Sequence, residues 1–138
     1  MGYCEVAVRG DEYKTVWVTN SHRDEKSWGH ELTIGSLSTI QAKILYIKKG
    51  NTTSLKYYTT KNEMLFIRSG KVLVEYDSEK YHYQDPEERV LKNQVLLPGD
   101  VLCVQSQCPY KIIAMEDSEI FEIGDSRTGH VVRIDEES

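Results

Sequence analysis

Short segments rich in β-branched and aromatic residues, separated by turn signals, are the feature that most constrains the fold of this chain. Segments of this kind occur at residues 14–20, 42–48, 63–68, 71–76, 94–97, 101–104, 110–115 and 119–123. No window sustains the apolar period of about 3.6 residues that an amphipathic helix requires. The pattern therefore predicts an all-β fold with little helix.

Glycine and proline mark the turns between these segments. Ser69-Gly70 lies between two predicted strands and indicates a tight hairpin, and residues 48–51 indicate a turn. In the turn at residues 97–100, the proline presets one φ angle and the glycine permits a positive one. The longer polar segment at residues 77–93 is predicted to be an extended or partly strand-like excursion.

Length and charge limit the classes of function. A chain of 138 residues supports one domain that buries about two-thirds of its unfolded surface. The net charge is −5 and the basic residues are scattered among acidic ones, so nucleic acid is not an expected partner. The chain has no apolar run of about 18 residues and no charged-then-apolar leader at Met1, so we expect no membrane span and a cytoplasmic location.

Two stretches have the spacing of a known pair of motifs. The first runs from Gly50 to Gly70, and the second runs from Gly99 to Tyr110. They resemble the two motifs of the cupin family, in which His-x-His, a Glu and a Gly form the first motif, and Gly-Asp and Pro-His begin and end the second. The positions in register with that pattern are Glu63, Gly70, Gly99, Asp100 and Pro109.

The resemblance covers residues 28–134 and is narrowed by short flanking segments, which are similar to the cupin domain of type II mannose-6-phosphate isomerases. These segments are Trp28-Gly29, Ser54-Leu55, residues 120–124 and residues 131–134, with His130 standing where that family has an Asp. The resemblance implies a double-stranded β-helix, or jelly-roll barrel.

The predicted domain organisation has three parts. Residues 1–27 form an N-terminal arm whose strand at 14–20 could pair with another subunit, residues 28–134 form the cupin barrel, and residues 135–138 form an acidic tail. Because exposed edge strands tend to be covered, and pairing across a two-fold axis covers them, we expect a homodimer.

The resemblance also implies a metal site, but its three histidine positions hold Tyr58, Thr60 and Tyr110. Of the four ligand positions only Glu63 is suited to a divalent metal, because neutral Tyr and Thr are poor substitutes for imidazole. We therefore predict no metal cofactor, with a divalent metal held through Glu63 as the alternative. The histidines of the chain lie outside both motifs and are predicted to be surface or loop residues: His22, His30, His82 and His130.

Strand alternation indicates which side chains face inward. Lys56, Tyr58 and Thr60 share one face, while Glu63 and Tyr110 join them from later strands. A buried Glu without a partner would become protonated, so Lys56 is predicted to pair with Glu63. All five residues are candidate ligand-binding residues, and Glu63, Tyr58 and Tyr110 are the candidates for catalysis. The competing interpretation is that the former histidine positions hold core-filling residues whose hydroxyls satisfy one another.

Three functions are consistent with these residues. The favoured one is a metal-depleted cupin that binds a small molecule, such as a carbohydrate or sugar phosphate, or serves as an interaction protein. A metal-dependent sugar-phosphate isomerase would need a metal to polarise a carbonyl, which the substituted histidine positions oppose. A metal-free sugar isomerase or epimerase, working through Tyr58, Tyr110 and Glu63 as acid and base, is the alternative.

Overall fold

The computed structural model describes residues 13–135. Within that range the chain forms eleven β-strands and two short 3-10 helices. The strands are β1 His22–Lys26, β2 Gly29–Leu37, β3 Ile40–Ile47, β4 Lys56–Tyr58, β5 Glu63–Ser69, β6 Val72–Tyr76, β7 Lys92–Leu96, β8 Val101–Val104, β9 Tyr110–Ala114, β10 Ser118–Asp125 and β11 Val131–Arg133. The 3-10 helices are Glu79–Tyr83 and Pro86–Glu88. No helix of the described chain is long and apolar enough to span a membrane.

The strands form two antiparallel sheets. One has six strands in the order β1-β2-β3-β10-β5-β8, and the other has five in the order β11-β4-β9-β6-β7. Neighbours in each sheet come from distant parts of the sequence, as where β10 lies between β3 and β5. The all-β jelly-roll prediction is confirmed.

The core lies between the two sheets because each strand buries alternate side chains. In β5 and β9 the pattern of buried and more exposed residues has the period of two that one-sided burial requires. The apolar side chains that meet between the sheets come from both sheets: Leu45, Ile47, Leu65, Ile67, Val72, Val74, Leu96, Ile112, Ala114 and Ile120.

The N-terminal part of the structure differs from expectation. Residues 14–20 form no strand in the described part of the chain, and Val16 and Val18 are 92% and 94% exposed. The first strand is instead β1, which begins before the expected boundary at residue 28 and pairs with β2. Residues 1–12 of the arm and 136–138 of the tail lie outside the described residues, and the homodimer stays a prediction.

The hairpin predicted at Ser69-Gly70 is wrong. This turn joins β5 of the six-stranded sheet to β6 of the five-stranded sheet, so the chain crosses between the sheets there. Gly70 has φ +89°, and a Cβ at this position would lie 2.4 Å from the Asp117 carbonyl oxygen. The close approach of the two chain segments therefore requires glycine.

The turn at residues 97–100 forms as predicted. Gly99 has φ +95°, and the backbone N–H of Asp100 donates to the Leu97 carbonyl oxygen at 3.0 Å.

The segment at residues 77–93 is not the extended excursion that was expected, because it contains both 3-10 helices. The Ser78 hydroxyl accepts from the Lys80 N–H at 3.2 Å, and Pro86 opens the second helix. Such local caps stabilise single helical turns, which are too short to show an apolar period in the sequence.

Candidate functional site

The interior between the sheets is apolar at one end and polar at the other. In the six-stranded sheet, Leu45 pairs with Ile120, while one inward step further along the same strands Lys43 pairs with Glu122. The five-stranded sheet changes in the same way, since β9 presents Ile112 and Ala114 at one end and Tyr110 at the other. Strand alternation thus aims charged and phenolic groups from both sheets at one end of the molecule.

A cavity of about 630 Å³ opens at this polar end. The six-stranded sheet contributes lining residues from β1, β2, β3 and β10, and the five-stranded sheet contributes them from β4, β9 and β11. The charged and amide side chains that line it are Lys26, Glu31, Gln41, Lys43, Lys56, Lys61, Glu122, Arg133 and Asp135. A volume of this size admits a molecule such as a monosaccharide.

Lys61 occupies the floor of the cavity and is only 1% exposed. Its Nζ donates a hydrogen bond to Glu122 Oε2 at 2.8 Å and lies 3.2 Å from Glu63 Oε2. The second contact is an ion pair without hydrogen-bond geometry, since Glu63 Oε2 has no hydrogen-bond partner among the described residues. Gly124 leaves room for this lysine, because a Cβ there would lie 2.9 Å from Lys61 Cε.

Glu63 lies beneath the cavity floor and does not line it. It is 4% exposed, and its Oε1 accepts a short hydrogen bond from the Tyr110 hydroxyl. Tyr58 faces the same lysine from β4, with Lys61 Nζ 4.8 Å from the centre of its ring. The two carboxylates, the ammonium and the two phenols therefore form one connected polar cluster, which we call the Lys61 cluster: Tyr58, Lys61, Glu63, Tyr110 and Glu122.

The two glutamates of the Lys61 cluster have opposite pKa shifts. Burial is the main cause that raises the pKa of Glu63, the charge of Glu122 adds to it, and Lys61 and the Tyr110 hydrogen bond oppose it. Burial also acts to raise the pKa of Glu122, but Lys61 and then Lys43 outweigh it and the pKa of Glu122 is lowered. When two carboxylates share one ammonium, the one with the better hydrogen bond keeps its charge more easily.

The basic and phenolic groups are shifted for related reasons. Burial acts to lower the pKa of Lys61, but Glu122 and Glu63 outweigh it and hold that pKa above its ordinary value. Burial is the main cause that raises the pKa of Tyr58 and of Tyr110. Lys61 is thus a permanent cation at neutral pH, and both phenols keep their protons as potential hydrogen-bond donors.

Two further groups at the cavity wall differ in how well they are partnered. Lys43 Nζ lies 3.0 Å from Glu31 Oε1, so this lysine is neutralised by a neighbour on β2. Gln41 is 7% exposed, yet its Oε1 has no hydrogen-bond partner within the part of the chain that the structure describes. A buried amide oxygen without a donor is costly to the folded state.

Three of the five predicted ligand-binding residues line the cavity: Lys56, Tyr58 and Tyr110. Glu63 is close but covered by Lys61. Thr60 is exposed outside the cavity, where its hydroxyl donates to the Arg127 carbonyl oxygen at 3.5 Å. Thr60 follows the end of β4, so the alternation that predicted an inward face does not extend to it. The functional roles of these residues stay predictions.

The predicted Lys56–Glu63 pair is wrong, because Lys61 is the ammonium beside Glu63. Sequence reasoning also missed Glu122, although its signal was present: it alternates with Ser118 and Ile120 on the buried face of β10. Lys61 carried no such signal. It lies in the loop between β4 and β5, where no period indicates direction, and its hydrogen-bond partner Glu122 is 61 residues away.

The residues present do not fit the metal that the motif resemblance implies. The Tyr110 hydroxyl is committed to Glu63, and the Lys61 ammonium provides the cation that the two buried carboxylates require. Among residues 13–135, no three His, Cys, Asp or Glu side chains come together as a metal-binding group. The absence of a metal cofactor stays a prediction, and so does its alternative, a divalent metal held through Glu63.

The histidines lie away from this cluster, as their positions outside the motifs suggested. His30 and His82 differ from the expected surface or loop residues, since both are half-buried and His30 lies within β2. The Nε2 of His82 lies 2.6 Å from the Gln107 carbonyl oxygen, and its ring lies 4.3 Å from that of Tyr57. His30 stacks on Tyr46 at 4.3 Å. Both contacts hold strands and loops together outside the cavity lining.

Comparison with solved structures shows that the architecture is the jelly roll found in cupin structures. KdgF from Halomonas sp. superimposes with a TM-score of 0.63 at 14% identity, covering 78% of this chain and 88% of that protein. The oxalate decarboxylase of Lactobacillus farciminis gives a TM-score of 0.66 at 16% identity, covering 84% of this chain and 34% of that one. CapF of Staphylococcus aureus, a capsular polysaccharide assembling protein, gives 0.60 at 15% identity over 77% and 28% of the two chains.

The fold of this protein is therefore the cupin fold. This chain spans most of the length of KdgF but only about a third of the length of the decarboxylase and of CapF. No family model and no curated protein matches the sequence, so the likeness concerns the fold. The similarity to mannose-6-phosphate isomerases is not shown by these comparisons.

Proposed function

We propose that this protein binds a small polyhydroxylated molecule, a carbohydrate or sugar phosphate, in the cavity above the Lys61 cluster and does so without a metal. The observation that carries the proposal is the buried Oε1 of Gln41, a residue of the cavity wall, which has no hydrogen-bond partner among residues 13–135. Buried polar atoms in folded proteins are normally hydrogen-bonded. A ligand in the cavity that donates a hydrogen bond to this oxygen would explain why it has no partner in the protein.

The chemistry of the lining supports a polar ligand. Hydroxyl side chains of Thr52, Thr53, Ser54 and Thr128 lie on the wall together with the Trp28 ring. Hydroxyls and amides form the hydrogen bonds that sugar recognition uses, and an aromatic face covers the apolar side of a sugar ring. Five basic and three acidic side chains line the cavity, which favours an anionic substituent such as a phosphate.

Binding is favoured over catalysis because the group best suited to carry a proton is covered. Glu63 has the raised pKa of a general acid or base, but Lys61 and Tyr110 separate it from the cavity. A proton-transferring group must come within hydrogen-bond reach of its substrate. One fold neighbour, CapF, is described as a polysaccharide assembling protein, which agrees with a carbohydrate ligand.

The test is a binding titration with matched glutamine variants. Gln41→Met keeps the length of the side chain and removes the orphan oxygen, so we expect sugar binding to weaken about tenfold, equal to about 1.4 kcal/mol. The same variant should lose no stability, because it removes an unsatisfied buried group. Gln84→Met, at an exposed position after the first 3-10 helix, is the control and should leave binding unchanged.

The titration is followed by NMR with glucose, glucose 6-phosphate and sorbitol as probes. Binding by the wild type that Gln41→Met weakens and Gln84→Met leaves alone supports the proposal. Absence of any saturable binding, or equal binding by both variants, contradicts it.

An isomerase or epimerase is the second candidate, and one observation favours it. Glu122 lines the cavity beside Lys61, so a carboxylate and an ammonium face the same space. Such a pair could remove a proton next to a carbonyl and stabilise the resulting oxyanion. Incubation with an aldose in D₂O separates the two functions: deuterium incorporation that Glu122→Gln abolishes would indicate catalysis, and its absence would leave binding alone.

A further inference from the structure

Four lysines line the cavity, and they differ in their partners: Lys26, Lys43, Lys56 and Lys61. Lys43 and Lys61 are ion-paired with carboxylates at 3.0 Å and 2.8 Å. Lys26 is exposed at the rim. Lys56 is half-buried, and it forms no salt bridge with any carboxylate of residues 13–135.

The surroundings of Lys56 place its amine inside the cavity. The residue lies on β4, where it pairs with Tyr110 of β9 on one side and Arg133 of β11 on the other. Its Nζ lies 4.9 Å from the centre of the Tyr110 ring. Because the hydroxyl of that ring is committed to Glu63, the aromatic face is what the amine meets.

The same surroundings favour the uncharged amine. Burial is the main cause that lowers the pKa of Lys56, and the charges of Glu63 and Glu122 only partly offset it. Arg133 and Lys61 lower that pKa further. The charged and titratable groups facing Lys56 come from every packed element: Glu63 of β5, Tyr110 of β9, Glu122 of β10, Arg133 of β11 and Lys61 of the loop after β4.

We propose that Lys56 is an imine-forming residue, whose Nζ condenses with the carbonyl carbon of a small polyhydroxylated aldehyde or ketone bound in the cavity. Lysines that form imines are desolvated or lie beside another cation, and Lys56 is half-buried and lies opposite Arg133 on the paired strand. The polyhydroxylated class follows from the hydroxyl and amide groups of the wall. The inference rests on the proposed function in that both require a ligand in this cavity.

The reaction balances without a redox partner. The lone pair of neutral Lys56 Nζ attacks the carbonyl carbon, and the carbonyl oxygen takes a proton to give a carbinolamine. In this first stage nitrogen gives up one proton, so the carbinolamine is neutral. A second proton on the oxygen then lets the nitrogen lone pair expel it as water, which leaves a protonated imine, and loss of the last nitrogen proton gives the neutral C=N bond. One carbonyl compound and one amine therefore yield one imine and one water, with solvent in the open cavity carrying the protons. The Tyr110 ring would face the protonated imine as it faces the ammonium.

Reductive trapping of the full chain tests the proposal. The protein is incubated with glyceraldehyde and sodium cyanoborohydride, digested, and mapped by mass spectrometry. We expect trapping at Lys56 at least tenfold faster than at Lys43 and faster than at Lys80, which is exposed. The trapping rate at Lys56 should reach half its maximum at a lower pH than the rate at Lys80.

The controls separate imine formation from simple binding. Lys56→Arg removes the nucleophile, so it should lose trapping at residue 56 while the exposed Lys80 is still trapped. Excess sorbitol, which has no carbonyl, should slow trapping at Lys56 and leave Lys80 unaffected. Trapping that is spread over exposed lysines without preference for Lys56, while sorbitol still binds, overturns the imine and leaves the proposed function standing. If the wild type shows no saturable binding of sorbitol, glucose or glucose 6-phosphate, both proposals are overturned.

Discussion

The two ends of the interior are formed by the same strands but differ in polarity and in their contribution to stability. At the apolar end, Leu65, Val72 and Ile120 are fully buried and supply the hydrophobic energy that holds the sheets together. At the polar end, Lys61, Glu63 and Glu122 are nearly as buried but carry charge, which water would solvate better. The apolar end is therefore expected to contribute more to stability than the polar end does.

The largest expected effect is the loss of the central cation. Lys61→Met leaves two buried carboxylates facing each other without an ammonium, and we expect the free energy of unfolding to fall by about 3–5 kcal/mol at neutral pH. Urea denaturation measures it. Lys43→Met is the matched control, with a smaller loss, because its pair with Glu31 is partly solvated. An equal effect of the two variants would contradict the central role of Lys61.

A substitution at the apolar end should lower the stability of the protein without weakening ligand binding. Ile120→Ala removes a fully buried side chain and should lower the free energy of unfolding by about 2–5 kcal/mol. Binding of sorbitol to the folded variant should be unchanged, as titration below its denaturation temperature would show. A matching loss of affinity would mean that the two ends are energetically coupled and the comparison fails.

A smaller effect is expected from the hydrogen bond to Glu63. Tyr110→Phe removes the hydroxyl that donates to Glu63 Oε1 and should cost about 1–3 kcal/mol of unfolding free energy. The pKa of Glu63 should rise further, since that hydrogen bond lowers it. Carbon-detected NMR of the carboxyl group measures the change. Tyr57→Phe, on the paired strand β4, is the control, and a similar shift in that variant would rule out the direct bond as the cause.

The smallest effect is the pH dependence of the glutamate pair. Glu122 has a lowered pKa, so the folded state binds fewer protons than the unfolded state below about 4.5, and stability falls there as pH falls. Glu63 has a raised pKa, so the folded state binds more protons just above 4.5, and stability falls there as pH rises. Each slope is at most about 1.4 kcal/mol per pH unit.

The pair should therefore contribute most to stability near pH 4.5. Unfolding measured across pH in Glu63→Gln should lose the decline on the alkaline side, and in Glu122→Gln the decline on the acidic side. Identical pH profiles for the two variants would show that the glutamates titrate alike, against the opposite pKa directions of the structure.

The sequence by itself determined the β architecture, the cupin motif positions and the inward direction of Lys56, Tyr58 and Tyr110. These features depend on local physics: a period of two along a strand, and the φ angles that glycine permits in a turn. The prediction for Thr60 failed where the strand ended, because alternation has no meaning in a loop.

The tertiary structure alone decided how the charges pair. Lys61 meets Glu122 across 61 residues of sequence, and this contact covers Glu63 and leaves Lys56 without a carboxylate among the described residues. It also decided that the turn at Gly70 joins two sheets. Such pairings follow from the order of strands in space, which makes distant segments of the sequence neighbours. A buried charge is costly unless an opposite charge lies beside it, so these neighbours decide which charges pair.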